Sequence, residues 1–168
     1  MQLRTVFPIL GQALRNRPGH IRRVCRIGFL GTVALLAGGN TPAETSTITV
    51  HVTNLRSSEG VVRACMTTNP KLFPKCRGEE KAYSVVVPAA SSVTLRFKHV
   101  IPGRYAIALL HDENNNGKAD RALMMMPKEG YGFSRDAKVR MGPPKFKSAA
   151  FDVTGEDQTQ SIRMRYML

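Results

Sequence analysis

The chain has 168 residues with 25 basic and 12 acidic side chains, a formal net charge of +13, and its length suits a single domain. Six arginines (Arg4, Arg15, Arg17, Arg22, Arg23, Arg26) lie in the first 43 residues, which hold no acid, so the rest keeps 19 basic against 12 acidic residues, a net +7. Much of the basic excess therefore belongs to an export signal, and the remaining cations are too scattered to mark a nucleic-acid surface.

Residues 27–37, I-G-F-L-G-T-V-A-L-L-A, follow the arginines as an apolar run and lead into small residues. A basic region, an apolar core and small residues in that order predict a secretory signal over residues 1–43. The run is shorter than the about 20 apolar residues of a membrane span. Ala37-Gly38-Gly39 and Thr41-Pro42-Ala43 both fit the cleavage pattern. The expected location is periplasmic or secreted, with no transmembrane segment once the signal is cut; retention as an anchor is the alternative. Cys25 lies in the signal, which leaves Cys65 and Cys76. In an oxidising compartment an even pair is expected to bridge, closing a 12-residue loop and contributing about 3 kcal/mol in the chain-entropy model. Two free thiols are the other reading.

The domain is expected over residues 47–168. From residue 47 the pattern has period two: Ile48, Val50 and Val52 alternate with Thr49, His51 and Thr53, as in a strand with one buried face. Further strands are expected over 61–67, 81–87 and 91–99, the last with Val93, Leu95 and Phe97 on one face and Thr94, Arg96 and Lys98 on the other. Phe73, between Pro70 and Pro74, is expected to plug an edge of the core. Residues 104–111 are apolar at both parities, which predicts a central strand buried on both sides.

That strand runs into D-E-N-N-N-G-K-A-D. Asp112, Asn114 and Asn116 recur at spacing two and Gly117 follows, matching the first half of a calcium loop. Calcium takes six to eight oxygens, and short oxygen-bearing side chains at alternate positions can converge on it. The expected ligands are Asp112, Asn114, Asn116, the Lys118 carbonyl and Asp120. Leu123 stands where the bidentate glutamate belongs, and Glu129 is the residue that could fold back to replace it. The competing reading needs no ion: Asn116-Gly117 is a hairpin signal, and a polar turn suffices.

Residues 127–144 are rich in glycine and proline and lack periodicity. Tyr131 and Phe133 argue against disorder, so the segment is expected to fold over the domain near the acidic loop. Strands over 145–154 and 159–166 complete seven or eight, with Ile162, Met164 and Tyr166 on one face and Arg163 and Arg165 on the other. This many short strands, with no helix beyond the signal, predict a single antiparallel β-sandwich.

Three runs, P-G-R-Y-A-I-A-L-L-H-D-E-N-N-N-G-K-A-D, P-K-E-G-Y-G-F-S and G-P-P-K-F-K-S-A-A-F, resemble in order the bacterial domain-of-unknown-function family 2141. The similarity covers residues 48–166. It implies an exported β-sandwich, immunoglobulin-like or transthyretin-like, and implies no activity. Ala119 and Met124 to Met126 depart from the leucine and Gly-Ile-Pro of similar proteins.

Two functional readings follow. The first is a non-catalytic binding or structural module of the cell envelope, its loop stiffened by calcium, with His111, Tyr131 and Phe133 as a contact surface for an envelope protein or ligand and no role in binding nucleic acid. The second is a metal-dependent envelope hydrolase using His111. No nucleophile, base and orienting group emerge together from the sequence. Gly132-Phe133-Ser134 starts like a nucleophile elbow, but Asp136 stands in place of the last glycine.

Overall fold

The computed structural model of the chain describes residues 44–122, 126–140 and 142–168. The signal and cleavage sites expected within residues 1–43 lie outside the described residues, as do Leu123, Met124 and Met125. Among the described residues, no helix is long and apolar enough to cross a membrane.

Period-two alternation becomes strands wherever the sequence carries it. β1 (Ser46–Thr53) buries Ile48, Val50 and Val52 and exposes His51 and Thr53. β2 (Val61–Thr67), β3 (Tyr83–Pro88) and β4 (Val93–Val100) follow. β3 ends on Pro88 at a sheet edge, where a missing amide costs no ladder bond. β5 (Gly103–Asp112) is the longest, and β6 (Gly130–Phe133), β7 (Phe151–Val153) and β8 (Gln158–Arg163) complete the set.

The strands form two sheets, one in the order β4-β1-β8 and the other β3-β2-β5-β6, with β7 also on β5. This is the expected all-β sandwich. β5 pairs with β2 along one edge, while β7 (at Gly103–Tyr105) and β6 (at Ala108–His111) share the other. Tyr105, Ile107 and Leu109 face the inter-sheet core with Ile48, Val50, Leu95, Phe97 and Ile162. Ala106 and Ala108 face a second cluster with Phe73, Phe133, Ala137 and Ala149. Double-sided burial makes β5 the most enclosed strand, as its sequence predicts. Each large side chain fully buried here contributes about 1.5–3 kcal/mol.

Two local expectations need correction. β8 lies parallel to β1, with Ile48 opposite Gln158 and Thr53 opposite Arg163, so the sandwich is not wholly antiparallel. The chain passes from β7 in one sheet to β8 in the other, and this crossing frees it from hairpin geometry. Asp157 Oδ1 fixes the entry by accepting the Thr47 amide at 2.7 Å. The segment expected to fold over the domain contains β6 and a 3-10 turn, Ser134–Asp136. The strand expected over 145–154 is split into a helical turn, Phe146–Ala149, and the short β7. The buried Ser134 hydroxyl explains the split, since it donates to Ala149 O at 2.6 Å and accepts the Ile107 amide at 2.9 Å.

Cys65 and Cys76 are bridged. The bridge ties β2 to the loop carrying Phe73, whose ring meets Phe133 at 5.8 Å and Phe146 at 5.9 Å, both edge-on.

Candidate functional site

β5 delivers two fully buried polar residues at its end, His111 and Asp112. Neighbours on a strand point to opposite faces, and these two serve separate networks. His111 Nε2 lies 2.9 Å from the Glu59 carbonyl oxygen, which can only accept, so Nε2 carries the proton. Nδ1 is then the acceptor for the Tyr166 hydroxyl at 2.8 Å. The Tyr166 oxygen accepts the Arg56 amide at 3.1 Å, and the Arg56 guanidinium lies 4.6 Å over the phenol ring. His111 thus has both nitrogens engaged inside the protein.

Asp112 turns into the loop. Its Oδ1 accepts the Asn116 amide at 3.0 Å and its Oδ2 the Gly117 amide at 2.8 Å. Gly117 adopts a φ of 74°, which its lack of a side chain permits. Arg63, on the neighbouring β2, adds its Nε to Oδ2 at 2.5 Å and its Nη2 to Asn115 Oδ1 at 2.7 Å. Burial alone would push the Asp112 carboxyl up; Arg63 and the Gly117 and Asn116 amides outweigh it and hold the group below its ordinary range. Glu113 turns the other way, to Arg56 and to the Ser57 hydroxyl at 2.7 Å. The Arg56 hydrogen bond drives its pKa down to about 2.

Asn114, Asn116 and Glu129, among the other expected metal ligands, meet at Asp120, and the Lys118 carbonyl has no hydrogen bond there among the described residues. Asn114 Nδ2 and Asn116 Nδ2 each donate to Asp120 Oδ2 at 2.8 Å. Lys118 is exposed, and its amide donates to Asn116 Oδ1 at 2.8 Å. Glu129 does fold back onto the loop: its Oε2 accepts the Asp120 amide at 3.1 Å. Glu129 is 4% exposed, and its Oε1 is buried with no hydrogen-bond partner among the described residues. Burial pushes its carboxyl above the ordinary range, and the charges of Asp112, Asp120 and Glu113 push the same way, against the Asp120 amide. Among the described residues, no three histidine, cysteine, aspartate or glutamate side chains stand close enough to hold a metal ion. Any cation here would depend on the asparagine and backbone oxygens.

The loop is not a two-residue hairpin between strands. Residues 113–129 make one long connection from β5 to β6, pinched by a bridge between Arg121 and Pro127. Beside this connection and the outer face of β5 and β6 lies a cavity of about 530 Å³. Leu110, Met126, Tyr131, Phe133, Val139 and Met167 give it an apolar wall, and Glu129, Arg121 and Arg140 add charge. Of the surface expected from His111, Tyr131 and Phe133, only Tyr131 is half-exposed. His111 is enclosed, and Phe133, 5% exposed, reaches the cavity from within the second cluster.

The chemistry-bearing residues that the sequence reading missed are Arg63, Arg56 and Tyr166. On a period-two strand Arg63 reads as a solvated cation, and only the sheet register brings it to Asp112. A family model matches residues 50–161. The chain belongs to the domain-of-unknown-function family 2141, uncharacterised proteins conserved in bacteria. No curated protein and no solved structure matches it. For this member of family 2141, function has to be argued from the site alone.

Proposed function

We propose that this protein is a non-catalytic binding module of the bacterial cell envelope, exported by its N-terminal segment, which takes a small apolar ligand into the cavity beside β5 and β6. The cavity carries this reading. Its volume, about 530 Å³, falls within the range of about 300–1,000 Å³ found for small-molecule sites. Its wall is apolar and stands on the most enclosed strand of the sandwich, a rigid support for loop-borne recognition. The basic and apolar N-terminal pattern supports export, and so does the Cys65–Cys76 bridge. Binding is favoured over hydrolysis because His111, the base the hydrolase reading needs, has both ring nitrogens committed to Tyr166 and Glu59.

Calcium enters as a second ligand, on the loop. Asn114, Asn116 and Asp120 already converge, and rotating the two side-chain amides would present oxygens where nitrogens now sit. Arg63 competes, since it occupies Asp112 Oδ2.

The test of the cavity is titration of n-octanol into the purified, oxidised protein, followed by NMR. Saturable shifts at Leu110, Tyr131 and Phe133 are expected, and Leu110→Trp should abolish them by filling the space while the rest of the spectrum stays folded. Absence of saturable shifts in the wild type, or uptake by Leu110→Trp equal to wild type, overturns the reading.

A further inference from the structure

We infer that the cavity's ligand is an apolar small molecule bearing a primary ammonium group, received by Glu129. This rests on the cavity reading above and deepens it. Two observations point to the ammonium. Glu129 contributes to the cavity wall and is almost wholly enclosed, yet among the described residues its Oε1 has no hydrogen-bond partner. A buried polar atom left without a partner keeps its desolvation cost, more so when charged, so a bound group that supplies the missing donor recovers it. Asp120 and Glu129, held together by the Asp120 amide, also present an unneutralised negative field. Arg63 pairs with Asp112 and Arg56 with Glu113, whereas among the described residues Asp120 and Glu129 form no ion pair. A positive headgroup is favoured by the same field that opposes a further negative one.

The apolar body follows from the remaining wall: Leu110, Met126, Tyr131, Phe133, Val139 and Met167 offer surface for a hydrocarbon and no matching polar groups. Arg121 and Arg140 also line the cavity, but both are exposed, and water screens exposed charges far more than it screens Glu129.

The experiment compares three probes with one tail and different heads: n-octylammonium, n-octanol and n-octanoate, titrated by calorimetry and NMR in the presence of a calcium chelator. Octylammonium should bind about tenfold tighter than octanol, as expected for one charge-assisted bond, and octanoate more weakly than either. Glu129→Gln, which keeps shape and volume, should erase the advantage of octylammonium over octanol. Equal affinities for octylammonium and octanol in the wild type, or octanoate binding tightest, overturn the ammonium assignment while the cavity reading stands. No saturable binding by any probe overturns both. The wild-type comparison decides the matter even where the variant folds poorly.

Discussion

The Tyr166 hydroxyl stands 2.8 Å from His111 Nδ1 and closes a chain running from the Arg56 amide through the phenol and the imidazole to the Glu59 carbonyl. Every polar atom of that chain has a partner, so the arrangement holds β5 to the C-terminal segment. Tyr166→Phe leaves a buried imidazole nitrogen without its donor, at a cost of about 1–3 kcal/mol. Urea denaturation should show the midpoint falling with the slope unchanged. Gly130 belongs to the same unit, because a Cβ there would come within 2.3 Å of the Tyr166 ring. The ring cannot swing aside without breaking the hydrogen bonds, so Gly130→Ala should destabilise the wild type more than it destabilises Tyr166→Phe.

Arg56 and Glu113 make acid sensitivity predictable. The Glu113 pKa is held at about 2, below the ordinary 4.5 of a glutamate, chiefly by the Arg56 hydrogen bond. A depressed folded pKa means stability that is present above the unfolded value and lost as pH falls through the folded one. Melting temperature should therefore drop between about pH 4.5 and pH 2, the window these two values define. Arg56→Gln should remove part of that slope, so that the gap between variant and wild type narrows towards pH 2. Because Arg56 is partly exposed, the contribution at neutral pH is about 1 kcal/mol at most. A gap that stays constant across the window counts against this assignment.

The Cys65–Cys76 bridge holds Phe73 against Phe133 and Phe146. Replacing both cysteines with alanine should cost about 3 kcal/mol. The loss should come with faster proteolysis of the loop around Phe73, because the unbridged loop lets that ring leave the second cluster. Loss of stability without increased cleavage there would mean that the ring is held by packing alone.

The strands were readable where one face is apolar and the other polar, because the pleat turns that chemistry directly into period two. β5 was readable as central for the opposite reason, both its faces being apolar. β6 was hidden because its glycines are defined by what covers them: Gly130 lies under Tyr166, and Gly132 under Ile162 and Met164. Close approach leaves no apolar alternation to read. The parallel placement of β8 was equally hidden, since the residues of β8 carry the same alternation in either direction. At the site, the grouping of Asn114 and Asn116 with Asp120 was legible from local spacing, whereas Glu129 could be named only as a residue able to fold back, with nothing local requiring it. Arg63 and Tyr166 reach the site through register and long-range packing, which spacing does not encode.

Arg63 and Asp112 supply the sharpest test of the loop's chemistry. The guanidinium sits 2.5 Å from Asp112 Oδ2 and occupies the oxygen that a cation would use. It therefore acts as an internal positive charge, and calcium must compete with it. Arg63→Gln removes that competitor while leaving the Asn116 and Gly117 amides on the carboxylate. Two opposing effects follow. Without calcium, the variant should melt below the wild type, because a fully buried carboxylate loses its paired charge. With calcium, the variant should recover, its apparent affinity rising about tenfold over the wild type once the repulsion between guanidinium and ion is gone. Asp120→Ala in the same background should abolish the recovery, since it removes the carboxylate on which Asn114 and Asn116 converge. Calorimetric melting with chelator and with added calcium, across the four combinations of these two substitutions, measures each term. A calcium response that is unchanged by Arg63→Gln and survives Asp120→Ala would mean that the ion acts elsewhere and that the loop owes its shape to its own amides and to Arg63 alone.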